Sequence, residues 1–266
     1  MVLERLISIR EAIKNPWWMF IVGGLISVLS LLVAFLVPIF PNDIGLFSSI
    51  LITFAMTPFM VNLFSYEEAK EEEEWEKRRK MNLFLRYREI LAVYAAFFIG
   101  VVLTKSIIFL ILPESFVEKI FEDQLTTIKL IRGSLIFFDT FQRIVINNLG
   151  VLILSFLFSF LYGSGAIFIL SWNASVLATA VGLTAKSLGG FKGLPTALLV
   201  YFPHGSLEIL AYFLAGIAGG VISVAISRRK SKFFRQILID SFILLGIASF
   251  IIIIAGIVEV FAFVIA

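Results

Sequence analysis

Long apolar runs constrain this chain more than any other feature of its sequence. Hydrophobic residues make up 60% of the chain and charged residues only 15%. A helix needs about 20 apolar residues to cross the hydrocarbon core of a membrane, and several runs here are that long. The sequence therefore predicts an all-α, polytopic helical bundle in the lipid bilayer. The predicted spans number about seven and cover residues 17–37, 44–64, 90–112, 148–170, 174–188, 205–227 and 242–264.

Two clusters of lysine and arginine set the predicted orientation. Seven basic residues lie between Lys70 and Arg88, within a charged segment at residues 65–89, and five more lie between Arg228 and Arg235. Loops that are rich in lysine and arginine stay on the cytoplasmic side. We therefore expect a multi-pass plasma-membrane protein with its N-terminus in the cytoplasm and its C-terminus outside. The basic clusters report topology, and no nucleic acid is expected as a partner.

Two stretches interrupt the pattern of spans. Residues 114–146 carry scattered charges beside a mostly apolar helical stripe, which is typical of amphipathic helices on a membrane surface. A turn is expected near residues 171–173, before the short fifth segment, and glycines and prolines then predict a broken or re-entrant stretch at residues 189–203. Pro203 is expected at the first position of the next helix, where a backbone N–H group would have no partner in any case.

Ionisable residues inside the predicted spans are the candidates for function, because a charge is unfavourable in lipid. Asp240 lies near Arg235, which predicts an ion pair with the neighbouring basic cluster. Lys105 can extend along its helix toward the membrane interface. The remaining three have no such simple explanation. They are His204, Glu208 and Glu259.

His204, the only histidine, lies four residues before Glu208, so both side chains share one face of a helix. At about 1.5 Å per residue, Glu208 lies about 30 Å and Glu259 about 30–35 Å from the cytoplasmic ends of their helices, which places both toward the outer leaflet. Asparagines open the fourth predicted span on the same side, and another precedes the fifth. The candidate polar cluster consists of Asn147, Asn148, Asn173, His204, Glu208 and Glu259.

Small residues follow on the His204 helix. Such residues let two membrane helices approach closely. Gly216, Gly219 and Gly220 are therefore the predicted packing positions.

Three uses of the polar cluster stay open. One is a hydrogen bond between histidine and glutamate that locks packed helices together, which the sequence favours. A second is a proton relay or ion pathway of the kind found in transporters. A third is a metal site, for which a single histidine and the absence of cysteine leave too few ligands. No metal, cofactor or catalytic residue is therefore expected.

Several short motifs resemble the stage II sporulation protein M-like family of membrane proteins. The most specific is Pro203-His-Gly-x-x-Glu208. The resemblance covers residues 83–266, whereas residues 1–82, with two spans and the charged helix, look like an added module. At residue 174 the chain has alanine where the family commonly has glycine. The other matching positions are Tyr87, Arg88, Asn147, Asn148, Asn173, Gly182, Ala211, Ala215, Gly219, Ala255 and Glu259.

This resemblance implies an integral membrane protein, and the family is best known for a scaffold that holds peptidoglycan-degrading enzymes in sporulating bacteria. By analogy, we expect a scaffold or assembly component for other envelope proteins rather than an enzyme. The expected docking surfaces are residues 113–146 and the charged helix at residues 65–89, and a homo-oligomer is a further expectation.

Two other function classes remain. A transporter or channel that uses the polar cluster is the alternative. An intramembrane hydrolase is the third class, but it needs a nucleophile or a metal-bound water that the sequence does not provide. A dry, hydrogen-bonded cluster would support the scaffold, and a wet pocket would support transport.

Overall fold

The computed structural model of the chain describes residues 7–37, 39–40, 43–76, 83–131, 137–164, 166–227 and 233–265. Within these ranges the regular structure is helical throughout. The α-helices are α1 (Ile9–Lys14), α2 (Trp17–Leu36), α3 (Ile44–Glu76), α4 (Leu83–Ile111), α5 (Glu114–Ile120), α6 (Glu122–Ile131), α7 (Phe137–Tyr162), α8 (Ala166–Ser187), α9 (Leu194–Ser227) and α10 (Phe234–Ile265).

Seven stretches of the described residues are long and apolar enough to cross a membrane. This confirms the predicted all-α bundle of about seven spans, although the fourth, fifth and sixth differ in their limits. The fourth ends at Tyr162 rather than at residue 170, because Gly163 turns the chain with a left-handed φ of 74°. Residues 166–187 then form a complete span without the predicted turn at residues 171–173, so Asn173 lies within a helix.

The break before the sixth span is confirmed, but it is shorter than predicted. Gly189 and Gly190 take positive φ values of 95° and 73°, and a 3-10 helix follows as far as residue 193. Helix α9 begins at Leu194, so the prediction that Pro203 begins a helix is wrong. Pro203 removes one hydrogen bond from the interior of α9. That loss does not end a helix of 34 residues.

Helix α9 forms the centre of the bundle, and its residues 211–222 are all buried. An added Cβ would lie 2.8 Å from a side chain of α8 at Gly216 and 2.7 Å from a phenylalanine ring of α3 at Gly220. At Gly219 it would collide with the backbone of α7. Larger side chains at these glycines would therefore push three neighbouring helices away.

The first two spans pack directly onto the rest of the bundle. Helix α2 crosses α4 at Gly23 and Gly100, where an added Cβ on either glycine would collide with the carbonyl group of Phe97 or Phe20, respectively. Helix α3 contacts α8 and α9. The division of the chain after residue 82 stays a prediction.

Two short helices, α5 and α6, cover one end of the bundle. Gln124 of α6 is fully buried, and the backbone N–H of Leu46 donates to the carboxyl group of Asp123 (3.4 Å). Burial raises the pKa of Asp123. Residues 137–146 begin α7 instead of forming a separate surface helix, and residues 132–136 lie outside the described part of the chain.

The opposite end of the bundle is charged. Lys70 and Glu89 form an ion pair of 2.8 Å between α3 and α4. The prediction that Asp240 pairs with the basic cluster beside it is wrong, because its partner is Arg86 of α4. Residues 77–82 of the charged segment and residues 228–232 of the second basic cluster lie outside the described residues.

Candidate functional site

A cavity of about 140 Å³ lies between helices α7, α8, α9 and α10. Ile128 of α6, from the end of the bundle that α5 and α6 cover, forms part of its wall. The structure brings the whole candidate polar cluster together here, although its members come from four helices. These lining residues are Asn147, Asn148, Asn173, His204, Glu208 and Glu259.

A chain of hydrogen bonds leads from the exposed Asn147 to the half-buried carboxyl group of Glu208. Asn147 donates through Nδ2 to Oδ1 of Asn148 (3.1 Å), and Asn148 donates through Nδ2 to Oε1 of Glu208 (2.6 Å). Glu259 from α10 lines the cavity beside Glu208, close enough for the two carboxyl groups to interact. Two ionised carboxylates have no donor between them. A hydrogen bond between these glutamates therefore needs a proton on one of the two.

His204 lines the same cavity but does not bond to the carboxyl pair. Its side chain is 7% exposed, and its ring packs edge-on against Tyr201 with 5.9 Å between the ring centroids. Its Nδ1 atom is buried and has no hydrogen-bond partner within the described ranges. The hydrogen bond predicted between His204 and Glu208 is thus not formed through Nδ1.

The donor set does not form a metal site of the usual kind. No group of three or more histidine, aspartate or glutamate side chains that could hold a metal ion occurs in the part of the chain that the structure describes. Zinc sites in proteins take at least three such ligands. The carboxyl pair and the asparagine oxygens instead suit a singly charged or hydrogen-bonding solute.

Two further lining residues leave room and acceptors for a ligand. Asn173 donates through Nδ2 to the carbonyl group of Ile169 in its own helix (2.8 Å), which leaves its side-chain oxygen available. A Cβ added to Gly205 would meet no atom within 4 Å. Gly205, Tyr201 and Tyr212 were not predicted as site residues, because a cavity results from packing and no short motif encodes it.

Along α9, the cavity ends at a buried residue. Tyr212 is the last residue of α9 that lines it, and its side chain is 2% exposed. Residues 213–222 of α9 continue from there, and all are buried among the neighbouring helices. Along α9, the cavity therefore does not extend past Tyr212.

A second buried polar group lies on another face of α8. Lys105 of α4 is fully buried and donates through Nζ to Oγ of Ser175 (3.2 Å), and Gln124 of α6 donates through Nε2 to the same oxygen (3.1 Å). The prediction that Lys105 extends to the interface is wrong, because α6 and α8 cover it. Gln124 lies on the apolar stripe of residues 114–146, which is the one sequence signal of its burial.

Comparison with known protein families matches residues 94–262 to the family described as Stage II sporulation protein M. The matched region contains every residue that lines the cavity, from Ile128 to Glu259. No curated protein and no solved structure matches the chain. The family match extends over more than half of the sequence, so this membrane-type helical protein belongs to the Stage II sporulation protein M family (SpoIIM).

Proposed function

We propose that the protein is a solute-binding membrane protein of the transporter class and that its solute binds in the cavity. The void inside the polar cluster is the observation that carries this proposal. A cluster that only holds helices together needs no void, since membrane helices associate through close packing. Here the polar side chains surround about 140 Å³ of open space, whereas a space of about 10–15 Å³ admits one water molecule.

The position of the cavity supports solute binding. The positive-inside rule puts the end covered by α5 and α6 on the outer side, so a solute would reach Glu208 from outside, past Asn147. At the other end, the buried ion pair between Arg86 and Asp240 joins α4 to α10. A pocket that is open toward one side and closed toward the other is the form expected of a carrier in one of its two states.

A labelling experiment tests this proposal, and the absence of cysteine makes the chain suited to it. Ala180 of α8 lines the cavity, whereas Ala178, two residues away, is fully buried against Ser106 of α4. We expect Ala180→Cys in cells to react with a small, membrane-impermeant methanethiosulfonate that carries an ammonium group. Ala178→Cys should remain unreactive under the same conditions.

Two results would contradict the proposal. Equal reaction rates for the two cysteine variants would mean that the cavity is no wetter than the packed core. Reaction of Ala180→Cys only after the cytoplasmic side is exposed would reverse the proposed orientation.

A scaffold is the second candidate, and one observation favours it. Glu114, Glu118 and Glu122 are all exposed on α5 and α6, beside Phe116, which is 44% exposed. This surface suits a basic partner in the envelope. Replacing the three glutamates by lysine should remove a co-purifying protein and leave the labelling of Ala180→Cys unchanged. An unaltered set of co-purifying proteins would argue against docking at this surface.

A further inference from the structure

The charge balance of the cavity points to the class of solute that it binds, and this step rests on the proposed function. Glu208 and Glu259 are its acidic groups, and no lysine or arginine lines it among the residues that the structure describes. The other titratable groups are His204, Tyr201 and Tyr212, all from α9. Helices α6, α7 and α8 contribute only asparagines and apolar side chains.

The nearest buried lysine does not neutralise the carboxyl pair. Lys105 contacts Ser175, whereas Asn173 and Ala180 form the part of α8 that faces the cavity. A proton shared by the two glutamates would offset part of their charge, because like charges at close range are not both ionised without a counter-charge. A cation that entered the cavity would compete with that proton for the same oxygen atoms.

The lining supplies hydrogen-bond acceptors. They include the carboxyl oxygens of Glu208 and Glu259 and the side-chain oxygen of Asn173. Tyr201 and Tyr212 add aromatic rings, and these attract cations. Ions such as calcium or magnesium prefer cages of six or more oxygen ligands. A protonated amine instead needs only a few acceptors for its N–H groups, so it matches this lining better.

We propose that the cavity binds a small protonated amine in exchange for the proton that Glu208 and Glu259 share. The amine enters with one positive charge and donates N–H groups to the carboxyl pair and to the side-chain oxygen of Asn173. The O–H bond of the protonated carboxyl group breaks, and the proton leaves to water past Asn147. One cation enters for each proton that leaves, so the net charge of the occupied cavity is unchanged.

Proton release measures this exchange directly. Purified protein in lipid nanodiscs receives methylammonium chloride in a weakly buffered solution that contains a pH indicator. Tetramethylammonium chloride is the control cation, because it has no N–H group to donate, and sodium chloride is the inorganic arm. We expect one proton to be released for each methylammonium bound and none with the two other salts. Release by sodium would overturn the assignment of an amine, and no release with any salt would overturn the exchange.

Matched variants separate the exchange from general damage to the fold. Glu208→Gln and Glu259→Gln keep a hydrogen bond within the pair but remove the shared carboxyl proton, so both should abolish proton release. Gly205→Leu fills the cavity and should abolish it too. Gly246→Leu should not, because Gly246 is exposed on α10 and an added Cβ there meets no atom within 4 Å. Full release by either glutamine variant would overturn the proposal.

The outcome for this inference is distinguishable from the outcome for the proposed function. If Ala180→Cys is labelled from outside and methylammonium releases no proton, the cavity is wet and only the amine exchange fails. If Ala180→Cys is also unreactive, the proposed function fails with it.

Discussion

The buried ion pair between Arg86 and Asp240 leads to a quantitative prediction about stability. Arg86 is 6% exposed and Asp240 is 4% exposed, and the pair joins the beginning of α4 to the beginning of α10. Asp240 also accepts a hydrogen bond from Nε2 of Gln236 at 3.0 Å. Replacing Asp240 by alanine leaves the guanidinium group of Arg86 buried without its carboxylate.

The expected loss is large because the substitution removes the carboxylate that a buried guanidinium group contacts. Removing one partner of a buried ion pair costs about 3–5 kcal/mol. Since about 1 kcal/mol shifts the Tm of a chain of this size by about 2–4 °C, Asp240→Ala should lower the Tm by roughly 6–20 °C. Gln236→Ala removes one hydrogen bond from a more exposed side chain and should cost about 1 kcal/mol. The double variant Arg86→Met with Asp240→Leu should regain most of the loss, because neither charge is left alone.

Thermal unfolding in detergent, followed by circular dichroism, compares these four proteins. A Tm decrease for Asp240→Ala no larger than that for Gln236→Ala would refute the reasoning. A double variant less stable than Asp240→Ala alone would refute it as well.

Three further predictions concern other parts of the bundle. Gly100→Leu should prevent stable assembly, because even a Cβ there collides with the carbonyl group of Phe20. Gly150→Leu should be tolerated, because an added Cβ meets no atom within 4 Å. Gel filtration compares the yields of folded protein for the two variants. Lys105→Met should raise the Tm, because the partner of this fully buried lysine is a hydroxyl group and no carboxylate of the described residues pairs with it. A lower Tm would contradict this prediction. Burial raises the pKa of Asp123 above 3.8, so its contribution to stability is full below that pH and is lost as the pH rises through the raised pKa. The Tm should therefore fall as the pH rises through this range, and this fall should be absent in the variant Asp123→Asn.

Hydropathy predicted the number of spans because each crossing needs about 20 apolar residues. It was less reliable at helix ends within apolar sequence, where Gly163 and Gly189 turn the chain and Asn173 does not. Pro203 was misplaced because the rule for proline at a helix start is a local preference. One lost hydrogen bond is outweighed by the packing of a long helix, so α9 passes through Pro203.

The sequence named the residues of the candidate site better than it predicted their arrangement in space. Counting the rise per residue placed Glu208 and Glu259 at similar depths, and the structure puts both on one cavity. The contact of Lys105 with Ser175 joins residues 70 positions apart. Such contacts depend on which helices are neighbours, and hydropathy carries no information on that. The same limit applies to the void, which arises from four helices that do not meet completely.

An experimental structure in a lipid nanodisc, at a resolution that shows ordered water, tests the wet cavity most directly. We predict density for water or a bound solute in contact with Glu208, Glu259 and Asn173. A cavity filled by protein side chains, with His204 bonded to a glutamate and no solvent density between them, would contradict solute binding and would favour the scaffold.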